Sequence, residues 1–480
     1  MFRKTVLFLF FLLFFCTIPV LAANDPNVQV LLFHGRTAII ISSPGGLTIQ
    51  AGRKIYTISP DVKCTFLSED DRVVWEGHRL FSPSFLLSPK GQSFLYYGSR
   101  PYRGKFILKN QSDSLDLVNL LPLDDYIKGT IKLEINPSWP EEAVRAQIVA
   151  SRTYAVSNLG RHQETGYDFC SSSHCQNYGG VNSEDPAANR MVDLTHDIIL
   201  TYQNQPAGVC FHSESGGTTD SAVNVWGKDV PYLVSVDSPW EKDSPHFSWE
   251  VQFTASELRF ALEHAGLIQG EVWDLQVVSG SNGGRIKNIL VKTDSREYQI
   301  PPNQFRAALG FDLLPSTFFE VRTHPFLKTQ QAVITPEKTP IIQEEKKTEN
   351  DESQGKSDYQ AMMNKDWNLD DIISFLKMRE KQREEEKNNQ TILSETPDIQ
   401  RPAETPVPDE MNGQPGDNEL ASGQTMVREE AVFIFRGRGY GHGVGLSQWG
   451  ARGMALQGYR YQDILLHYFP GCQVKKARFK

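Results

Sequence analysis

Residues Ser138 to Gly160 read Ser-Trp-Pro-Glu-Glu-Ala-Val-Arg-Ala-Gln-Ile-Val-Ala-Ser-Arg-Thr-Tyr-Ala-Val-Ser-Asn-Leu-Gly. Ser138 and Glu141 have the spacing of a capping box, Pro140 is tolerated in a first turn, and Gly160 supplies a stop. Val144, Ile148, Ala155 and Leu159 fall on one stripe of this predicted helix, and small Ala143, Ala146 and Ala150 beside it permit close packing. The chain changes character on either side. Upstream, from Val28 to about Leu121, apolar and polar residues alternate between turn signals such as Gly45-Gly46 and Pro89-Lys90-Gly91, which predicts short antiparallel strands. Downstream, strand and helix patterns mix. Residues 197–202 and 207–212 predict a hairpin around a polar turn, and Thr254 with Glu257 caps a further helix reaching about Gly266. The fold class is α+β: an antiparallel strand-rich N-terminal part, then a mixed α/β domain.

The chain has 480 residues and a formal net charge of −9, room for two or three domains. Mild acidity argues against a nucleic-acid partner, which would need a basic face. Residues 1–22 read as a secretory signal: basic Arg3-Lys4, an apolar run from Val6 to Val20, and a small-residue exit at Ala22. An uncleaved membrane anchor is the rival reading, because the run is almost long enough to span a bilayer. Either way the protein is expected outside the cytoplasm, in the periplasm or cell envelope. Cleavage leaves Cys64, Cys170, Cys175, Cys210 and Cys472, an odd set that argues against a complete disulfide framework.

Composition shifts again near Thr335. Residues 335–426 hold 21 acidic against 11 basic residues, a net of −10 beside −9 for the whole chain. Few aromatics accompany them, so a disordered acidic insertion is expected. One helical pattern at 367–387 interrupts it, read either as a solvated helix or as a docking helix for a partner. The domain reading is therefore a signal at 1–22, a β-rich region at 23–101, a mixed domain at 102–334, the insertion at 335–426, and completion of the mixed domain by 427–480.

Four stretches carry candidate chemistry. Residues Gly437 to Gly445 place glycine at every second position. A strand here would have one bare face, and Arg438, Tyr440, His442 and Val444 on the other. Repeated strand glycine marks close approach by a ligand or another backbone; a flexible linker is the alternative. No register fits a nucleotide-binding glycine signature. Glu134, flanked by Leu133, Ile135 and Trp139, reads either as a carboxyl kept protonated by apolar surroundings or as an exposed loop glutamate. His162, Cys170, His174 and Cys175 suit a closed, structural Zn2+ site, with a Cys170–Cys175 disulfide as the alternative. Cys210 and His212 stand in reserve as ligands. Finally, Phe211 to Thr219 offers hydroxyls and an imidazole but no Gly-x-Ser-x-Gly elbow, so sugar binding is preferred to a serine nucleophile. His442, Ser447 and Gln448 form a second such group, with Ser447 also placed to cap a helix.

Together these segments resemble the stage II sporulation protein D family, which includes the amidase enhancers. The matching stretches are Leu121 to Gly129, Trp139-Pro140 with Ala146 to Ala155, Cys170 to Tyr178, Phe211 to Thr218, Pro231-Tyr232-Leu233 and Gly441 to Ala451. Ile135, Leu446 and Asp124 depart conservatively from the family pattern. The resemblance implies a lytic transglycosylase acting on peptidoglycan glycan strands stripped of stem peptides. It would cleave between N-acetylmuramic acid and N-acetylglucosamine and leave 1,6-anhydro ends. Glu134 takes the place of the catalytic glutamate, and Cys170, His174 and Cys175 that of the zinc cluster. Gln147, Arg152, His212, Ser213, Ser215, Gly216, Gly217, Tyr440, His442, Ser447 and Gln448 become the expected substrate contacts. A non-enzymatic enhancer of a cell-wall amidase, binding that enzyme and glycan, is the alternative.

Overall fold

The computed structural model describes residues 26–327 and 430–477, less 70–71, 81, 112 and 280–283. The leader at 1–22, the acidic stretch at 335–426 and its helical pattern at 367–387 lie outside the described residues. The fold is α+β, as the sequence patterning predicts. Among the described residues, no helix is long and apolar enough to cross a membrane.

The N-terminal alternation folds into two antiparallel-rich sheets. In the seven-stranded one, Asn27–Arg36 pairs with Ser114–Pro122, and the sheet continues through Lys105–Gln111, Ser84–Pro89 and Leu47–Ala51 to Lys54–Ile58. Val28, Val30, Ile39, Ile41, Phe66, Phe85, Leu87, Phe106 and Leu108 point inward from the two sheets into a shared core. This is the period-two pattern of half-buried strands. The short strand Phe169–Cys170 adds in parallel to Asn27–Arg36, Val30 facing Phe169. Residues on both sides of position 101 therefore share one sheet and one core.

Among the described residues, eight α-helices follow: α1 (Leu123–Glu134), α2 (Glu141–Ser157), α3 (Pro186–Leu194), α4 (Ala222–Trp226), α5 (Ala255–His264), α6 (Pro302–Leu309), α7 (Gln448–Leu456) and α8 (Tyr461–Tyr468). The sequence reading missed α1. Tyr126, Ile127, Thr130 and Ile131 bury one face of it, and Asp124 and Asp125 suit its positive N-terminal end. Gly129 is needed there because a Cβ would lie 2.5 Å from the ring of Tyr178. The predicted capping box of α2 does not form. Pro140 is the N-cap and makes no side-chain cap, while Ser138 stays outside, its N–H donating to Asn136 Oδ1 at 2.9 Å.

Helix α2 divides two cores. Val144, Ile148 and Ala155 face the first, and Ala143, Ala146, Val149 and Ala150 face a second with Leu200, Val209, Leu446, Leu465 and Phe469. Leu159, assigned to the stripe, lies beyond the helix and is exposed. The expected hairpin is shorter than predicted: Ile198–Tyr202 pairs only with Gln205–Pro206, and its other edge takes Gln473–Lys476. Phe211–His212 instead joins Leu446–Ser447 in parallel. A third core gathers α5, α6, Val272–Ser279, Ile286–Thr293 and the sheet of Trp249–Thr254, Glu430–Gly437 and Phe319–Leu327 around Leu258, Phe305, Phe433 and Phe435. The Thr254–Glu257 capping box is present with both bonds. The chain after residue 429 thus serves two cores, first the third and then the second.

Candidate active site

Glu134 is the last residue of α1, and its position has three physical consequences. Helix carbonyls at a C-terminal end carry partial negative charge, which disfavours a second negative charge on the side chain. Burial adds to this: desolvation raises the Glu134 carboxyl from 4.5 to about 7, against the opposing hydrogen bond from Asn177. That bond runs from Asn177 N–H to Oε1 at 3.2 Å and orients the group. Glu134 opens onto a cleft of about 470 Å³ lined by Lys132, Leu133, Ile135, Asn136, Pro137, Trp139, Ser213 and Gln448. No second carboxylate lines it among the described residues.

The far wall comes from the other end of the chain. Gln448, first residue of α7, donates from Nε2 to the Glu134 carbonyl at 3.0 Å and to Gln147 Oε1 at 3.4 Å. Ser447 is the N-cap of α7, accepting from Gly450 N–H at 3.2 Å, and is itself buried. Trp449 N–H donates to Ser213 carbonyl at 3.0 Å, and its ring meets Trp139 edge-on with centroids 4.9 Å apart. Indoles at a polar cleft offer flat apolar faces of the kind that cover a sugar ring.

The glycine-rich stretch is not an extended strand beyond Gly437. Gly439, Gly441, Gly443 and Gly445 all take positive φ, between 72° and 111°, so the chain winds. The inference of close approach survives in a different form. A Cβ on Gly439 would lie 2.7 Å from the Glu214 carbonyl, and one on Gly443 2.2 Å from the Arg285 guanidinium. The stretch lies against another backbone and a buried arginine.

Several expected contacts lie away from the cleft. Arg152 is fully buried; its Nε donates to Asp124 Oδ1 at 2.7 Å, and its other nitrogens reach the Val192 and Ile198 carbonyls at 3.2 Å. It fastens α2 to α1 and α3. Gln147 is buried beneath Gln448 and donates to Ser151 Oγ at 3.2 Å. His212 is buried beside His442, with ring centroids 5.4 Å apart, and His442 rests on Trp226. Desolvation holds both imidazoles neutral, His442 falling to about 4. Tyr440 donates to Asp312 Oδ1 at 2.5 Å. Ser215, Gly216 and Gly217 wrap the buried carboxylate of Glu241, whose oxygens accept from Ser215 N–H and Oγ at 2.8 Å and from Gly216 N–H at 2.9 Å. Of the expected contacts, Glu134, Ser213 and Gln448 meet in the cleft. Sequence reasoning missed Glu241 as a loop anchor. It also left Trp139 out of the site, although its place five residues after Glu134 was a usable signal.

The metal candidates converge. The donor atoms of His162, Cys170, His174 and Cys175 all lie within 4.8 Å of one another. His162 Nε2 is 3.3 Å from Cys175 Sγ, and His174 Nδ1 is 3.6 Å from both sulfurs. Tetrahedral zinc bonds of about 2.0–2.3 Å give ligand separations of roughly 3.3–3.8 Å, so the set fits. Both cysteines are free thiols. Seven residues beyond Cys170, the same loop supplies the Asn177 N–H that meets Glu134, and Gln176 Oε1 accepts from Tyr126 of α1 at 3.3 Å.

Residues 111–202 match the stage II sporulation protein family, and residues 226–334 match a domain of unknown function, DUF8618. Stage II sporulation protein D of Bacillus subtilis is 31% identical over 190 residues, covering 35% of this chain and 55% of the relative. The amidase enhancer of the same organism is 25% identical over 355 residues, 72% of this chain and 39% of the relative. An uncharacterized protein of Brachyspira hyodysenteriae is 30% identical over 222 residues, 46% of this chain and 59% of the relative. The chain thus spans between 39% and 59% of the length of these three relatives. Residues 111–202 match the stage II sporulation protein family, and the chain is similar in sequence to stage II sporulation protein D and to the amidase enhancer.

Proposed function

We propose that this chain is a lytic transglycosylase of peptidoglycan that works on peptide-free glycan strands in cell-wall remodelling or sporulation. The observation that carries this is Glu134: a lone carboxyl, raised to about 7, in an open cleft walled by tryptophan, serine and glutamine. A group of that pKa is protonated often enough at neutral pH to donate, and basic enough afterwards to accept. Its proton passes to the glycosidic oxygen as the bond from that oxygen to C1 of N-acetylmuramic acid breaks. The C6 hydroxyl of the same sugar then bonds to C1, and its proton returns to Glu134. One carboxyl suffices because no water has to be activated, whereas a hydrolase would ordinarily place a second carboxylate across the sugar. Glu134→Gln keeps shape and hydrogen bonding but has no proton to give. It should bind peptide-free glycan while turnover falls about 10²-fold or more; undiminished turnover would remove Glu134 from the mechanism.

Zn2+ at His162, Cys170, His174 and Cys175 belongs to the same proposal. With four protein ligands it would act as a cross-link, leaving no position for water. Those residues tie the end of α2 to the loop whose Asn177 N–H orients Glu134. Glycan strands lie outside the cytoplasm, where the leader read at 1–22 would deliver the chain. A second reading has its own support: the match to an amidase enhancer runs over 72% of this chain. In that reading the same cleft holds glycan while another surface stimulates a cell-wall amidase. Assaying that amidase with and without the Glu134→Gln chain separates the two roles.

A further inference from the structure

Arg452 lies four residues after Gln448 on α7, so the two share a helix face, and Gln448 lines the Glu134 cleft. Its guanidinium sits over two indoles, 5.7 Å from the ring centre of Trp139 and 5.0 Å from that of Trp449. Trp139 is itself a cleft wall. Three other buried or half-buried arginines nearer the N-terminus meet acids: Arg103 meets Glu184, Arg145 meets Glu141 and Glu142, and Arg152 meets Asp124. Arg452 has no carboxylate within ion-pair distance among the described residues, and it is only partly exposed. Among the described residues that line the cleft, Lys132 is the one cation and Glu134 the one acid. A planar fork of donors, resting against a pair of indoles and without a carboxylate partner among the described residues, is pre-organised for an external carboxylate.

We infer that Arg452 reads a carboxylate on the bound glycan and thereby selects muramic acid whose lactyl carboxylate is free. The inference rests on the glycan reading proposed above and adds the basis of its substrate preference. When a stem peptide is attached, that carboxylate is tied up in an amide. It then has neither charge nor two equivalent oxygens for the fork. A strand with its peptides removed presents the carboxylate directly on the sugar.

The test uses the full chain carrying Glu134→Gln, so that ligands survive, and measures equilibrium binding at two salt concentrations. Four ligands are compared: a peptide-free GlcNAc–MurNAc tetrasaccharide, the same sugar with its lactyl carboxylates converted to methylamides, chitotetraose, and a tetrasaccharide with intact stem peptides. The peptide-free acid should bind at least ten-fold more tightly than the other three, and the preference should shrink as salt rises. Adding Arg452→Gln should bring the ratio close to one while leaving chitotetraose binding within about two-fold; Arg452→Lys, which keeps the charge, should restore part of the ratio. A ratio retained in Arg452→Gln would overturn the inference, as would an equal loss for acid and methylamide, which would mark a purely structural stack. Tighter binding of the peptide-bearing strand would overturn it too, by locating the carboxylate on the peptide. The acid preference without any cleavage by wild type would overturn the lytic reading alone. A chain that bound none of the four would overturn both.

Discussion

Glu134 has a stability signature that can be read without substrate. Its carboxyl ionises near 4.5 in an unfolded chain and near 7 in the fold. Below pH 4.5 both states hold the proton and nothing is lost. As pH rises from 4.5 to 7 the unfolded chain ionises first, so the fold loses stability relative to it, and the loss is complete above 7. The shift corresponds to at most about 3 kcal/mol. Glu134→Gln should therefore gain on wild type by up to that amount between pH 4 and pH 8, as urea denaturation at the two values would show. Parallel stability profiles would mean that the carboxyl ionises freely. In the same window, wild-type kcat/KM should decline above about pH 7 as the donor loses its proton. The residue was legible in the sequence, but its surroundings only partly: Ile135 is buried as expected, while Leu133 is exposed. Arg152 and His212 were misplaced because residue type and spacing do not reveal depth. A buried arginine satisfied by Asp124 looks, in a sequence, like one free to meet a ligand.

At the scale of elements, α2 could be read almost whole, because a helix between two cores needs two apolar stripes and Ala143, Ala146 and Ala150 announce the second. Helix α1 could not. Its Gly129, together with Pro122 and Pro137 at its flanks, reads as broken chain until Tyr178 is seen filling the space that glycine leaves. The alternating glycines signalled contact correctly and conformation wrongly, since strand pairing and a winding chain both demand missing side chains. Gly443→Ala tests the second. With φ at 79° and a Cβ 2.2 Å from Arg285, it should cost about 2 kcal/mol or more, seen as a lowered Tm; a neutral effect would mean that Arg285 moves aside freely. The loop proposed to hold zinc allows a parallel test. Cys175→Ser should release metal, measurable by elemental analysis, lower Tm and reduce turnover through Asn177. Zinc-free wild type with Cys170 and Cys175 mapped to one disulfide would contradict the metal assignment.

Across the whole molecule, the chain leaves the sheet beside the third core at Leu327 and returns to it at Glu430, and these two residues are register partners in adjacent antiparallel strands. The intervening residues 328–429 therefore connect neighbouring strand ends. Replacing them with a four-residue turn should leave the fold intact and, on loop-closure entropy alone, stabilise it by about 2–3 kcal/mol. Loss of cooperative unfolding in the shortened chain would show that this acidic stretch contributes to a core. Its composition pointed to an insertion, yet the strand pairing that makes the excision simple is a long-range contact that no local pattern encodes. Long-range assembly also builds the cleft, where Glu134 of α1 meets Gln448 of α7, 314 residues later. By the function proposed, this assembled site cleaves glycan with one carboxyl and no water. Mass analysis of the products that wild type releases from peptide-free strands tests it most directly. Termini of 1,6-anhydro-N-acetylmuramic acid, lighter by one water than hydrolytic ends, are expected; reducing-end products, or intact strands beside a stimulated amidase, would contradict a one-carboxyl lytic site.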